Sequence, residues 1–204
     1  SARVSGGLRG KIVLMNDDMQ LREGRPACAS PSSLAAPAET GVYAALDLGT
    51  NNCRLLIACP TATGFRVVDS FSRIIRLGEG IAATGCISEA AIERAIDALG
   101  VCSDKIRYRR ARRTRLIATE ACRAAANAQD FRDRVAAETG IRLEVIDRET
   151  EAALAAIGCS PLIDPRARGA ILFDIGGGST ELVRIERDPA VPGGRLRIKA
   201  WMSI

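Results

Sequence analysis

No histidine occurs anywhere in the 204 residues. That removes histidine general bases, histidine metal ligands and serine–histidine triads in one step. Aromatic residues make up only 3% of the chain, so the core has to be built from Leu, Ile, Val and Ala. No apolar run comes near the roughly 18 residues that a membrane-spanning helix needs. The early run Lys11-Ile-Val-Leu-Met15 is also too short for the core of a secretory leader. These absences predict a cytoplasmic protein without membrane contact. The seven cysteines (Cys28, Cys53, Cys59, Cys86, Cys102, Cys122 and Cys159) are odd in number and contain no Cys-x-x-Cys. That argues against a disulfide framework and a zinc site, and predicts reduced, mostly buried thiols.

What is present is an ordinary globular composition, 47% hydrophobic and 26% charged, enough for one or two domains with a sizeable core. The net charge of +5 comes from one stretch, KIRYRRARRTR from Lys105 to Arg115, which carries seven cations and no acid. Two readings stay open for it. It is the end of a helix, where cations suit the dipole, or it is a patch that attracts a polyanion. No nucleic-acid motif accompanies it, so sequence-specific nucleic-acid binding is not expected.

Residues 1–41 differ from the rest. The stretch EGRPACASPSSLAAPAETG is rich in Pro, Ala and Ser without a period, which predicts a disordered extension or a mis-assigned start. From Val42 the pattern is α/β. VYAALDL and CRLLIAC are short apolar runs separated by a turn signal, and GFRVVDSFSRIIRLG reads as a third, longer strand. A helix opens at Ser88, a suitable N-cap, and sets Ala91, Ile92, Ala95, Ile96 and Leu99 on one face. TRLIAT reads as a strand, and EACRAAANAQDFRDRVAAET as one helix closed by Gly140. RLEVID reads as a strand and ETEAALAAIG as a helix closed by Gly158. AILFDIGGGSTELVRIE then brings a second strand–turn–strand, and GGRLRIKAWMSI one more strand. This order predicts a mixed-sheet α/β domain over residues 42–163 and the first β-meander of a second such domain over 164–204.

YAALDLGTNNCRLLI and ILFDIGGGSTELVRI both read apolar strand, Asp, apolar, Gly, polar turn, apolar strand, which makes them a weak internal repeat. A turn of this kind exposes several backbone N–H groups on one side. Glycine permits a positive φ there and lets a ligand come close to the backbone. Converging N–H groups make an anion site that suits phosphate. Gly49, Thr50 and Asn51 in the first turn are therefore candidate phosphate ligands, as are Gly176, Gly177, Gly178, Ser179 and Thr180 in the second. Asp174 and Glu181 flank the second turn, and Asp47 precedes the first. Carboxylates beside phosphate repel it unless a cation lies between, which points to Mg2+ near Asp174 and Glu181 with Asp47 as a further ligand. The plainer reading is a tight hairpin that needs glycine for its own sake. It suits a lone Gly-x-Gly better than two related turns flanked by acids. No Gly-x4-Gly-Lys-[Ser/Thr] occurs, so neither turn is a Walker-type loop.

YAALDLGTNNCRLLIA, FSRIIRLGEG, IATEACRAAAN, DRETEAALAAIG and FDIGGGSTELV together resemble the Ppx/GppA family of exopolyphosphatases and guanosine pentaphosphate phosphohydrolases, within the actin-like ATPase superfamily. The resemblance runs from Val42 to Ile204. It implies two ribonuclease H-like domains with the active site between them. It implies that Glu151, in the ETEA motif, is the catalytic general base that draws a proton from the attacking water. It also implies that Arg123, in ATEACR, binds phosphate through its guanidinium. Without the resemblance, Glu149 and Glu151 read as acids in the first turn of a helix, and Arg123 as a surface arginine. Arg76, in RLGEG, is a further phosphate candidate, and Glu120 carries no expected role.

The reaction so implied is in-line transfer of a terminal phosphoryl group to water, from inorganic polyphosphate or guanosine pentaphosphate, with Mg2+ neutralising the developing charge. The basic run leans towards the longer polyanion. The family likeness also implies a homodimer in a full-length form. A lone three-stranded meander leaves one face uncovered, so the sequence predicts a truncated second domain. Two other readings stay open. One is another enzyme of the superfamily, a sugar or acetate kinase or an ATPase. The other is a fragment that binds polyphosphate or nucleotide without turning it over.

Overall fold

Strand alternation sets the first layer. In β1 (Tyr43–Leu48) the side chains of Ala44, Leu46 and Leu48 are buried, and in β2 (Asn52–Thr61) those of Cys53, Leu55 and Ile57. A period of two puts all six on one side of the sheet. β3 (Gly64–Ile74) continues the antiparallel meander, while β4 (Arg113–Ala118) and β5 (Glu144–Val145) join the other edge in parallel. The strand order β3-β2-β1-β4-β5 is the mixed, ribonuclease H-like sheet that the sequence predicts. These statements come from a computed structural model that describes residues 41–62, 64–187 and 196–204. The extension expected before Val42 lies outside them apart from Gly41.

The buried face is covered by α2 (Glu89–Tyr108), which follows a single helical turn, α1 (Ile81–Thr84), not expected from the sequence. Ser88 accepts the Ala91 N–H at 3.3 Å, Glu89 lies in the first turn, and Lys105 and Arg107 lie in the last. Both helix ends therefore suit the dipole. Ile92, Ala95, Ile96 and Leu99 pack against Leu46, Leu55 and Ile57 in one continuous core. Each fully buried Leu or Ile there contributes about 1.5–3 kcal/mol.

The single helix expected after β4 is two. α3 (Glu120–Ala124) ends at Ala125, whose backbone is extended, and α4 (Ala128–Thr139) restarts three residues later. The reason lies outside the segment. Asn127 accepts the Ile87 N–H at 2.8 Å and donates to the Ile87 carbonyl at 2.9 Å, and the Ala126 N–H donates to Gly85 at 2.9 Å. A continuous helix would have to give up these bonds, and Ile87 is buried.

The second sheet is an antiparallel meander of β6 (Gly169–Ile175), β7 (Thr180–Arg187) and β8 (Leu196–Ser203). α5 (Arg148–Cys159) packs on it through Ala152, Ala155 and Ala156, which meet Leu172, Val183 and Ile185. A boundary at residue 163 would leave α5 with the first sheet, yet its buried face belongs to the second. The helix therefore spans the two layers and carries Glu151 into the space between them. The other face of the meander is open: Ile171, Ile175 and Met202 are exposed there. No helix among the described residues is long and apolar enough to cross a membrane. Of the cysteines described, Cys53, Cys102 and Cys122 are buried, and Cys59, Cys86 and Cys159 are half-buried; none forms a disulfide.

Candidate active site

The two glycine turns close in the same way. The Gly49 N–H donates to the Asn52 carbonyl at 2.9 Å, and the Gly176 N–H donates to the Ser179 carbonyl at 2.9 Å. The weak sequence repeat is thus a repeat of backbone geometry. Behind the first turn, the Thr50 carbonyl accepts from Gly78 at 2.9 Å, and the Asn51 carbonyl accepts from Ile75 at 2.9 Å and Arg76 at 3.1 Å. The carbonyls are held by protein, while the N–H groups of Thr50, Asn51, Gly177 and Gly178 have no acceptor among the described residues. Backbone N–H groups without a protein acceptor, gathered in two neighbouring turns, suit an anion.

The glycines are needed for a different reason from the one expected. None of Gly49, Gly176, Gly177 and Gly178 has a positive φ. Instead the two turns touch. A Cβ on Gly177 would stand 2.9 Å from the Asn51 Cβ, and one on Gly178 would stand 2.9 Å from the Thr50 Oγ1. Gly78 is a third such position, where a Cβ would lie 2.3 Å from the Thr50 Cγ2. Close approach of the Thr50 and Asn51 side chains to the glycine backbone, rather than left-handed conformation, fixes Gly78, Gly177 and Gly178.

Beneath the touching turns lies a cavity of about 280 Å3, walled by both sheets and by α5. It gathers most of the residues singled out from sequence: Asp47 with Gly49, Thr50 and Asn51 from one turn; Asp174, Gly176, Gly177, Gly178, Ser179 and Glu181 from the other; and Glu151 from α5. Thr180 is not in the wall. Its N–H and carbonyl are engaged by Ile204 at 3.0 and 2.9 Å, which makes it a strand residue. Arg76 is not in the wall either. It sits at φ 49° with an exposed side chain, and its backbone supports the first turn.

Arg123 lies just outside the wall, behind Glu151. Its Nη2 donates to the Glu151 carboxylate at 2.8 Å, and its Nη1 donates to the Ile146 carbonyl at 2.7 Å. Its Nε and Nη2 both donate to Glu120, at 3.1 and 2.8 Å. Glu120, which carries no expected role from its motif, also accepts from Arg148 at 2.9 and 3.2 Å. Glu151 follows the N-cap Asp147, whose side chain accepts the Thr150 N–H at 2.7 Å, so the helix start fixes its direction. Burial pushes the Glu151 carboxyl above its ordinary range; Arg123 opposes that shift, and the nearby Glu181 and Asp47 add to it. For Glu120, burial works upwards too, but the hydrogen bonds from Arg148 and Arg123 outweigh it and hold the carboxyl below its ordinary range.

The second hairpin adds a pair of acids. Asp174 and Glu181 are direct cross-strand partners and both are buried, at 4% and 1% exposure. In the first hairpin the partner of Asp47 is Arg54, which also lines the cavity. Arg54 did not emerge from the sequence motifs, yet counting back across a turn closed by Gly49 and Asn52 places it opposite Asp47. Glu181 accepts the Ser203 hydroxyl at 3.1 Å. No three acidic or cysteine side chains among the described residues gather into a closed ion cage. The donor set still fits Mg2+, which takes one or two carboxylates and completes its shell with water and substrate phosphates.

The basic run lies elsewhere. Lys105 and Arg109 both pair with Asp69, at 2.7 and 3.0 Å; Arg107 pairs with Asp104, and Arg115 with Glu144. Arg113 opens β4 at the end opposite the cavity, about 16 Å away along the strand. The helix-end reading accounts for Lys105, Arg107 and Arg109; Arg115 pairs across the sheet from β4, and Arg110, Arg112 and Arg113 are exposed.

The model of the Ppx/GppA phosphatase family matches residues 56–192. The chain belongs to the Ppx/GppA phosphatase family. Its Ppx/GppA relatives include Exopolyphosphatase 2 of Mycobacterium tuberculosis, 36% identical over 154 residues, an alignment that covers 71% of this chain and 48% of the relative. The crystal structure of the Aquifex aeolicus Ppx/GppA family member is similar at a TM-score of 0.66 and 31% identity, over 80% of this chain and 51% of that one. An exopolyphosphatase from Cytophaga hutchinsonii reaches a TM-score of 0.70 at 27% identity, over 80% of this chain and 50% of that one. The chain thus spans about half the length of the Ppx/GppA proteins it matches.

Proposed function

We propose that this cleft, in the whole protein, removes the terminal phosphate of inorganic polyphosphate or guanosine pentaphosphate by attack of water. The observation that carries the reading is the place of Glu151. It is a partly desolvated carboxylate, steadied by Arg123, in the wall of a cavity that both glycine turns also line. A base and an anion cradle around one small space are the parts that phosphoryl transfer to water needs.

The N–H groups of the two turns take the non-bridging oxygens of the terminal phosphate. Arg54 adds positive charge from the wall. Glu151 accepts a proton from water as the water oxygen bonds to the terminal phosphorus. The bond from that phosphorus to the bridging oxygen breaks, and the shortened chain leaves with the electron pair. Asp174 and Glu181, with Asp47, would hold Mg2+, which when bound supplies the positive charge that lets phosphate sit beside these acids.

The test is release of orthophosphate from long-chain polyphosphate with Mg2+, by the wild-type chain, by a form extended past Ile204, and by Glu151→Gln in both. Release that Glu151→Gln lowers by at least about 100-fold supports the reading. Equal release from Glu151→Gln contradicts it. Binding of tripolyphosphate without release by either length favours the binding-module reading, which the half-length match to relatives keeps in view.

A further inference from the structure

Glu120 occupies the part of Arg123 that a phosphate would use. One carboxylate oxygen accepts from both Nε and Nη2 of Arg123, at 3.1 and 2.8 Å, the edge through which a guanidinium holds an oxyanion. With Nη1 on the Ile146 carbonyl and the second Nη2 proton on Glu151, Arg123 has one N–H group left for a ligand. The same carboxylate also accepts from Nε and Nη2 of Arg148, at 3.2 and 2.9 Å. Glu120 therefore stands between two arginines, with one oxygen shared by both and the other held by Arg148 alone. Arg123 and Glu120 are shielded, at 17% and 16% side-chain exposure, whereas Arg148 is 51% exposed. The stem of Glu120 also borders the second turn, since a Cβ on Gly178 would lie 3.4 Å from its Cγ.

We propose that Glu120 is an internal stand-in for substrate phosphate, held on the guanidinium of Arg123 in the free protein and passed to Arg148 when a phosphate chain enters. The inference rests on the reading of the cleft as a phosphate site and goes beyond it. It makes Glu120 a residue that weakens binding and Arg148 one that strengthens it, although neither lines the cavity. The entering phosphate gains the Arg123 fork only by displacing a carboxylate, and Arg148 lowers the cost of that displacement. Throughout the exchange Arg123 keeps its bond to Glu151, so the base stays oriented.

The experiment is calorimetric binding of inorganic tripolyphosphate to the full chain and to its Glu120→Gln, Arg148→Gln and Arg123→Gln variants, each checked by thermal melting. A glutamine at 120 keeps the shape but loses the charge that competes with phosphate. The expected result is binding about five- to tenfold tighter for Glu120→Gln, weaker by a similar factor for Arg148→Gln, and weaker for Arg123→Gln. The Glu120→Gln/Arg148→Gln pair should bind like Glu120→Gln alone. A merely structural role for Glu120 predicts weaker binding, not tighter. Wild-type binding that Glu120→Gln leaves unchanged or weakens overturns the exchange while leaving the phosphate site standing. Should Glu120→Gln not fold, unchanged binding in Arg148→Gln overturns it equally. Absence of binding in every variant, wild type included, removes the phosphate site itself and the exchange with it.

Discussion

Asp174 and Glu181 face each other directly across β6 and β7, and both are buried. The equivalent position in the first hairpin pairs Asp47 with Arg54. One hairpin thus sets a cation opposite its aspartate, while the other sets two acids opposite each other. Like charges in register destabilise a sheet, and burial sharpens the effect.

Mg2+ should therefore raise the melting temperature of this chain, and chelation should lower it. Glu181→Gln should be more stable than wild type without the ion, by about 1–3 kcal/mol, and should lose the response to it. Thermal denaturation with Mg2+ and with a chelator checks this. An equal Mg2+ response in both proteins would remove the acids as ligands.

The base has a predicted pH signature. Burial holds the Glu151 carboxyl above its ordinary range, and Arg123 pulls against that. Activity needs the carboxylate, so the acidic limb of kcat/KM should lie above the ordinary glutamate range. Loss of the Arg123 charge removes the downward pull, so Arg123→Gln should move the limb to still higher pH. A limb that stays in place in Arg123→Gln would show that another group controls it.

Gly177→Ala tests the contact between the turns. The new Cβ meets the Asn51 Cβ at 2.9 Å, so the turns have to part. Overpacking of this kind costs about 1–3 kcal/mol. Tripolyphosphate binding should weaken at least tenfold, because the two turns no longer meet around one site. Unaltered binding in a folded Gly177→Ala would show that the turns act separately.

Asp69 gives a prediction about the basic run. Hydrogen bonds from Lys105 and Arg109 hold its carboxyl down at about 2. A depressed acid contributes stability above its unfolded value, near 3.9, and loses it as pH falls towards the folded value. Asp69→Asn should thus be less stable than wild type at neutral pH, and the difference should vanish as both are acidified from about pH 4 to about pH 2. Melting curves across that range decide it. A difference that persists at the acid end would assign the effect to packing.

Much of this site was legible in the chain. The strand–Gly–strand repeat marked both turns, and Glu151 and the three acids came with their motifs. The misses share a cause, which is dependence on residues far off in sequence. The break between α3 and α4 is set by Ile87, 40 residues away from Asn127. The glycines at 177 and 178 are required by Thr50 and Asn51, which no local propensity encodes. Glu120 looked idle because one of its two arginine partners, Arg148, lies 28 residues on. Arg54 is the exception: cross-strand register alone would have found it.

Activation of water by Glu151 against a terminal phosphate can be read from the fate of solvent oxygen. Polyphosphate should be turned over in 18O-labelled water by the form extended past Ile204 and by its Glu151→Gln variant. One solvent oxygen should appear in each orthophosphate released by the parent, and release should all but disappear with Glu151→Gln. Orthophosphate without label, or labelled release that survives Glu151→Gln undiminished, would contradict it.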